Sequence, residues 1–373
     1  MQLPFGSDEN RRLATATHLF VLIVGCLFIL HIGRSFFLPL LAAAIAVYLV
    51  HILSRLIQRI RIYRYQISGL ASKTVSFLLI FGLLYFFAGR ITEGMFEVSA
   101  VAPLYQARLQ QLLSQCFQIF GVEHEPDLRE LIRSIDLRGT FSLAARTLLG
   151  SLSNLTLVFL YGLFGMLELR FIPTKLAAIF PNSATHTNAL NLLRRIDRDV
   201  QTYLGVKTAA SVLTALLSYL VMRMVGLNSS EIWALLIFVL NFIPVLGPVV
   251  ATIFPTLIAL LQFDNFAPAL IVGIAITAIQ QVIGSIIEPA FVGQRLNLSP
   301  LAVIMSLVFW GNLWGIIGAF LCVPLTTILV IILANFQSTR WVSILLSQTG
   351  ASSESNVETR NEAVGRKASN CPP

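Results

Sequence analysis

The chain has 373 residues, of which 56% are hydrophobic and only 12% are charged, and its mean hydropathy is +0.79. Soluble domains carry about 25% charged residues, so the composition excludes an ordinary soluble protein and indicates a membrane protein with several helical spans. The net charge is +8; in a membrane protein we attribute it to cationic loops that set topology and touch anionic headgroups, and not to nucleic-acid binding.

The first 89 residues are predicted to form three membrane spans, at residues 14–33, 35–53 and 70–89. The loop between the second and third spans is strongly basic. Its cationic residues are Arg55, Arg59, Arg61, Arg64 and Lys73. By the positive-inside rule, we expect this loop and the N-terminus to face the cytoplasm.

Residues 90–147 differ in character, because six arginines and seven acidic residues leave them nearly neutral. Leucines recur at helical spacing, which predicts amphipathic helices outside the bilayer. Pro126 and Asp127, with Glu130 behind them, are typical of a helix start. Since three spans precede this region, we expect it on the outer side of the membrane.

The rest of the chain, residues 148–340, is predicted to be the core transport domain. It begins with a span at residues 148–167, followed by a second basic stretch at residues 170–207, which should be cytoplasmic and include an amphipathic helix on the membrane surface. A fifth span follows at residues 208–226. Residues 341–373 are predicted to be a disordered cytoplasmic tail, because they are polar and have few large apolar residues.

Two apolar stretches, residues 231–262 and 300–335, are interrupted by proline and glycine and flank a continuous span at residues 267–287. The predicted helix breaks are Pro244, Gly247, Pro248, Gly311, Gly315, Gly318 and Pro324. Each stretch could be a kinked span or a re-entrant hairpin, and the first could also be two spans joined by a tight turn. Such breaks persist at membrane depth where protein or a water-filled path satisfies the freed backbone groups. The arrangement is typical of secondary transporters.

Glu288 is the strongest candidate for a residue that couples transport to the movement of a proton. It precedes Pro289 at the end of the continuous span, and because a residue before proline avoids the helical region, we expect the backbone to open there. A medium of low dielectric favours the neutral carboxyl, so this side chain could carry a proton. The alternative is that Glu288 lies at the interface and binds Arg295 or a free backbone amide.

Four amide side chains lie in apolar surroundings and could line a solute path, since each offers hydrogen-bond donors and acceptors. They are Asn241, Gln280, Gln281 and Asn312. Their other possible role is hydrogen bonding between helices. Trp310 and Trp314 could line the path or anchor the membrane interface. The G-x-x-x-G pair Gly311 and Gly315 could equally serve close helix packing.

Several motifs for other chemistry are absent. The four cysteines are far apart, so we expect neither a structural disulfide nor a metal site. The ATP-binding pattern G-x-x-x-x-G-K-[ST] is missing, as are H-E-x-x-H and G-x-S-x-G, so the sequence predicts no primary pump, no enzyme and no cofactor.

A set of short motifs along nearly the whole chain resembles the autoinducer-2 exporter (AI-2E) family of bacterial membrane transporters. The motifs are Phe37-Leu-Pro39, Tyr203-Leu-Gly-Val-Lys-Thr208, Phe242-Ile-Pro-Val-Leu-Gly-Pro248, Ile287-Glu-Pro289, Gly293, Leu296-Asn-Leu-Ser-Pro300, Trp310-Gly, Trp314-Gly and Val323-Pro-Leu-Thr326. Their order and spacing carry the resemblance, which is most specific from residue 203 to 326. The chain departs from the family pattern at Ser285, where many members carry Asn.

The resemblance implies an all-α polytopic protein of the bacterial inner membrane with about eight membrane segments, some of them interrupted or re-entrant. It implies export of a small solute such as a furanone-type signalling molecule, with proton or sodium coupling, and homo-oligomers such as pentamers. Some relatives are sodium–proton antiporters, so that function is an alternative. From the residues alone, a passive channel or a structural envelope protein stays open as an alternative of another class.

Overall fold

The computed structural model describes residues 7–59, 68–120, 137–292 and 298–348. These residues are almost entirely helical, and their only β-type pairing is an isolated bridge between Leu298 and Ser347. The expected helix start at Pro126, the possible partner Arg295 and the polar tail beyond residue 348 lie outside the described residues. The helices are α1 (Ser7–Ile32), α2 (Arg34–Arg59), α3 (Gly69–Phe120), α4 (Leu137–Leu169), α5 (Ile172–Ile179), α6 (Ser183–Val225), α7 (Ser230–Leu240), α8 (Leu246–Gln262), α9 (Ala267–Val282), α10 (Glu288–Val292), α11 (Pro300–Ala334) and α12 (Arg340–Leu346).

Five helical runs among the described residues are long and apolar enough to cross a membrane, with α9, the turn after it and α10 counted as one run (Ala267–Phe291). The number is six if α4 and α5, which are bent by 62° at a short break, form one span together. Many large apolar side chains point outward, among them Phe28, Leu78, Leu270 and Ile274. Apolar surface this extensive is uncommon on a soluble monomer, whereas lipid accepts it. The prediction of an all-α polytopic membrane protein is confirmed.

Helix α6 joins two regions that the sequence analysis separated, the basic stretch and the fifth span. It begins where the Asn182 side chain accepts a hydrogen bond from the Ala184 N–H, and it ends at Gly226, which adopts φ +83°. An N-cap amide and a left-handed glycine are the usual start and stop signals of a helix. Helix α3 likewise runs on from the third span into the region predicted to lie outside the bilayer.

The helices form two packed groups. In the first, small residues of α2 (Ala43 and Ala46) let phenylalanines of α3 (Phe77 and Phe81) and Val158 of α4 approach closely. In the second, α6 to α9 enclose an apolar core together with Val98, Tyr105 and Leu112 of α3. That core includes Met222, Trp233, Ile237, Ile258, Val272 and Ile276.

The stretch at residues 231–262 is a helical hairpin, which we call hairpin 1. Helices α7 and α8 are its arms, and Gln262 at the end of α8 donates to the Gly226 carbonyl (2.9 Å) and accepts from the Asn228 N–H (2.8 Å). The chain therefore returns to where the hairpin began. At the turn Val245 has φ +62°. The next arm packs so tightly that a Cβ on Gly247 would lie 1.9 Å from the Leu240 carbonyl oxygen.

The stretch at residues 300–335 is also folded back, although it is long enough to pass for one span; we call it hairpin 2. Gly315 has φ +66° and ψ −145°, which no helix contains. The Trp310 indole N–H donates to the Thr326 hydroxyl at 3.0 Å, whereas 16 residues of straight helix would cover about 24 Å. A Cβ on Gly318 would lie 1.9 Å from the Trp310 carbonyl oxygen.

Some of the predicted helix breaks lie at the turns of the hairpins, and others lie within a helix. In hairpin 1, Pro244 lies in the turn, whereas Gly247 and Pro248 lie in the first turn of α8. In hairpin 2, only Gly315 departs from helical geometry, so the predictions of breaks at Gly311, Gly318 and Pro324 were wrong. Pro324 is tolerated within the helix because a membrane helix can compensate one missing hydrogen bond through its neighbours.

The bases of the two hairpins lie far apart along α6, one beyond its C-terminal end and the other near its middle. The base of hairpin 1 lies at Gly226, just beyond the C-terminal end of α6. At the base of hairpin 2, Leu298 packs with Val200 and Leu204 in the middle of α6, about 35 Å away along a helix that rises about 1.5 Å per residue. Their inner parts meet where the rings of Phe242 and Phe320 stack with centroids 4.7 Å apart.

Candidate functional site

A buried ion pair joins α6 to the end of the continuous span. The Lys207 ammonium donates to both carboxylate oxygens of Glu288, at 2.8 and 3.0 Å. The Lys207 side chain is 10% exposed and the Glu288 side chain 20%. Charged side chains are rarely withdrawn from water this far unless they are paired. The contact with Glu288 therefore explains how Lys207 can be buried.

Lys207 is the last basic residue of the stretch that is expected to be cytoplasmic, and its burial was not predicted from the sequence. Lys207 lies on a buried face of α6, one helical turn beyond Tyr203 and one turn before Ser211, both of which are also buried. Residues four apart share a helix face. A signal was available in the sequence, since Lys207 opens a long uncharged run and lies inside the Tyr203–Thr208 motif.

Glu288 does not stand at an opened backbone, as the Pro289 rule predicted. Its backbone is helical, with φ −58° and ψ −51°, and its N–H donates to the Ile283 carbonyl to close a π-helical turn over Ile283–Ile287. A π-turn is wider than an α-turn and is frequent at functional sites. The wider turn relieves the clash that the Pro289 ring would make with the preceding turn of a regular α-helix.

A buried polar stripe continues along α6 beyond the ion pair. Ser211, Thr214 and Ser218 follow Lys207 at helical spacing and are buried. Asn241, at the turn of hairpin 1, donates to the Ser211 hydroxyl at 3.0 Å. The turn of hairpin 1 is thus tied to the same face of α6 that carries the ion pair.

Several buried polar atoms near this face have no hydrogen-bond partner among the described residues. They are the hydroxyl oxygens of Thr208 and Ser218 and the amide oxygen of Gln280. Native proteins satisfy most such groups with protein or water. Gln280 uses its other end, donating to the Thr252 hydroxyl of hairpin 1 at 2.9 Å. These atoms could therefore accept hydrogen bonds from water or from a polar solute.

The remaining predicted site residues make other contacts. Gln281 is exposed. Asn312 is exposed and donates to the Val308 carbonyl of its own helix. The Trp310 indole N–H donates to the Thr326 hydroxyl within hairpin 2, and the Trp314 indole N–H donates to the Leu30 carbonyl at the end of α1. The structure thus groups Glu288 with Lys207 and Asn241 with the α6 stripe, whereas the hydrogen bonds of Asn312 and the tryptophans go elsewhere.

Within the part of the chain that the structure describes, no three histidine, cysteine or acidic side chains come together as metal ligands. The groups that this site offers are charged and polar. A cation and a carboxylate face each other in surroundings of low dielectric, and neutral donors and acceptors adjoin them along α6. Such a group of charges and hydrogen-bonding atoms is suited to contact with a polar solute.

Comparison with known proteins gives one consistent answer. The family model described as "AI-2E family transporter" matches residues 19–338. A protein of Haemophilus influenzae, provisionally named as a transport protein, is 33% identical over 282 residues, which are 73% of this chain and 80% of that protein. The AI-2 transport protein TqsA of Escherichia coli is 29% identical over 334 residues, which are 88% of this chain and 95% of that protein.

Proposed function

The chain belongs to the AI-2E transporter family, and on that premise we propose that it is a secondary transporter that exports a small polar solute across the bacterial inner membrane. In this proposal both chain termini lie in the cytoplasm, as the basic loops favour. The family is one of transporters, and the chain is a multi-pass membrane protein. The substrate, the direction of transport and the coupling ion are what we propose.

The observation that carries the proposal is the ion pair between Lys207 and Glu288. While Glu288 is ionised, the pair is neutral as a whole and is stable in its buried position. When Glu288 takes up a proton, Lys207 becomes a buried cation without a counter-charge, which is costly. The protein can then lower its free energy by binding a polar solute at Lys207 or by moving the pair toward water. Protonation and solute binding are thereby coupled.

The solute that we propose is a small, hydroxyl-bearing molecule like autoinducer-2, the substrate named for the Escherichia coli relative. The buried oxygens of Thr208, Ser218 and Gln280 supply acceptors for such hydroxyl groups. At the breaks of the two hairpins, some backbone N–H and C=O groups are not used in helical hydrogen bonds, so the solute can bind them.

A sodium–proton antiporter is the second candidate, and the same ion pair favours it. A carboxylate that exchanges its lysine partner for a proton or a sodium ion would be sufficient for antiport. A passive channel or a structural protein can also contain a buried ion pair, so counterflow is the measurement that separates these alternatives from a carrier. Homo-oligomeric assembly stays a prediction from the family resemblance.

The experiment is counterflow in proteoliposomes with imposed proton and sodium gradients, using autoinducer-2 as the solute. Wild type is compared with Glu288→Gln, which keeps the shape of the side chain and removes its charge. Glu231→Gln is the matched control, because Glu231 is an exposed acid of hairpin 1 outside the buried site. Antiport is followed in the same vesicles with a pH-sensitive dye and added sodium.

We expect saturable exchange that responds to the proton gradient in wild type and in Glu231→Gln, and loss of that response in Glu288→Gln. Sodium-dependent proton movement without solute exchange would instead favour the antiporter. Solute flux that neither saturates nor shows counterflow would contradict a carrier. Full pH-dependent exchange by Glu288→Gln would refute the role given to the ion pair.

A further inference from the structure

A second site candidate lies away from the ion pair, at the junction of the two helix groups. A cleft of about 470 Å³ opens between α2 and α6. Its lining residues are Ile52, Arg55, Leu56, Arg59, Arg194, Asp197, Arg198, Gln201 and Thr202. None of them takes part in the proposed transport mechanism.

The cleft has a strong excess of positive charge. Four arginines line it and only one acid, Asp197. Arg55 donates to the neutral amide oxygen of Gln201 at 2.6 Å, and the Gln201 amide nitrogen in turn donates to Asp197 at 2.8 Å. None of the ion pairs within the described residues involves the four arginines of the cleft. Their charge is therefore available to an anion.

The positive-inside rule explains why arginines occur in such loops, but not why they converge. Arg55 and Gln201 are 146 residues apart in the chain, so the cleft is built by tertiary packing of two distant segments. Guanidinium groups bind phosphate oxygens through paired, parallel hydrogen bonds, which suits a concave site with arginines on both walls. The chemistry of the cleft thus fits a phosphate-bearing anion.

The apolar part of the lining distinguishes a lipid from a soluble anion. Ile52 and Leu56 of α2 form one wall, and Leu56 is 52% exposed on the outer surface of the helix. A ligand with a phosphate headgroup and acyl chains could place the first among the arginines and the second along this wall. A soluble phosphate would leave the wall uncovered.

We propose that this cleft binds the headgroup of an anionic phospholipid, such as phosphatidylglycerol or cardiolipin. The lipid bridges α2, which belongs to the first helix group, and α6, which carries Lys207. Because it binds the folded chain at a junction between the two groups, it stabilises the native state by an amount that rises with the logarithm of the lipid concentration above the dissociation constant. The site makes the stability of the protein depend on the anionic lipid of its membrane.

The test uses the full-length protein purified in a neutral detergent. Thermal unfolding is measured with added cardiolipin, phosphatidylglycerol, zwitterionic phosphatidylcholine or inorganic pyrophosphate, and bound lipid is counted by native mass spectrometry. The cleft variant is Arg59→Gln with Arg198→Gln, which leaves the Arg55–Gln201 hydrogen bond in place. The matched control is Arg170→Gln with Lys175→Gln, which removes two charges from the basic stretch outside the cleft.

We expect both anionic lipids to raise the unfolding temperature of wild type and of the control, and the cleft variant to lose most of that rise together with its bound lipid. Phosphatidylcholine and pyrophosphate should have little effect. Equal responses of the cleft variant and the control would overturn the proposal, since the effect would then be general surface charge. A rise with pyrophosphate as large as with lipid would overturn the choice of a lipid and indicate a soluble phosphate compound.

Discussion

Lys207 and Glu288 are 81 residues apart in the chain, and the ammonium of one lies within 3.0 Å of both carboxylate oxygens of the other. The pair connects the longest helix of the second group, α6, to the π-turn that ends the continuous span. Both side chains are largely withdrawn from water. Each charge is therefore stabilised in its buried position by the other.

Removing one partner of the pair should destabilise the protein more than removing both. Lys207→Met leaves a buried carboxylate without its partner, and breaking a buried pair in this way costs about 3–5 kcal/mol. Adding Glu288→Gln removes the orphan charge, so most of the stability should return, whereas transport should not. The free energy of unfolding in detergent and counterflow are measured on both variants. Additive effects of the two changes would show that the pair does not act as a unit.

Two glycines should be intolerant of any side chain because another segment of the backbone occupies the space. A Cβ at Gly247 or Gly318 would lie 1.9 Å from a carbonyl oxygen of the opposite arm of its hairpin. We expect Gly247→Ala and Gly318→Ala each to cost at least about 1–3 kcal/mol, the usual range for overpacking. Gly165→Ala is the control, because a Cβ at Gly165 would meet nothing within 4 Å. Thermal unfolding of the three variants measures the difference, and equal stability would contradict the folded-back geometry.

The turn of hairpin 2 should depend on glycine for its backbone angles alone. Gly315 has φ +66° and ψ −145° with open space around it. Only glycine adopts that region readily, so Gly315→Asn should cost about 1–3 kcal/mol. Gly226→Asn should be well tolerated, since Gly226 is in the left-handed helical region with ψ 28°, which asparagine enters. Similar unfolding temperatures for the two variants would exclude a reversal at Gly315.

The bases of the two hairpins should be accessible from opposite sides of the membrane. Asn265, just after hairpin 1, and Gln337, just after hairpin 2, are both exposed. In a chain whose native cysteines are replaced, Asn265→Cys and Gln337→Cys should react with a membrane-impermeant thiol reagent from opposite faces of sealed vesicles. If the basic loops are cytoplasmic, Gln337→Cys should react from the cytoplasmic face. Labelling of both positions from one face would contradict opposite entry.

Much of the structure of this protein could be predicted from short segments of its sequence. Composition was sufficient for a polytopic helical membrane protein, and Pro244 and Gly315 placed the interruptions because their backbone preferences act within a few residues. The same local reasoning failed at Glu288, where Pro289 predicted an opened backbone. There the tertiary structure kept the chain helical through a π-turn. The division into extramembrane and transport domains stays a prediction.

What the sequence determined by itself was the class of protein, its family motifs and the places where apolar helices are interrupted, because hydropathy and backbone preference are properties of short segments. Only the tertiary structure decided that both interruptions are hairpins, that their bases lie far apart along α6, and that Glu288 binds Lys207. Those outcomes depend on which distant segments pack together. A lysine at the edge of a basic stretch is the same in sequence whether it faces water or a carboxylate, and the fold alone brings the two charges into contact.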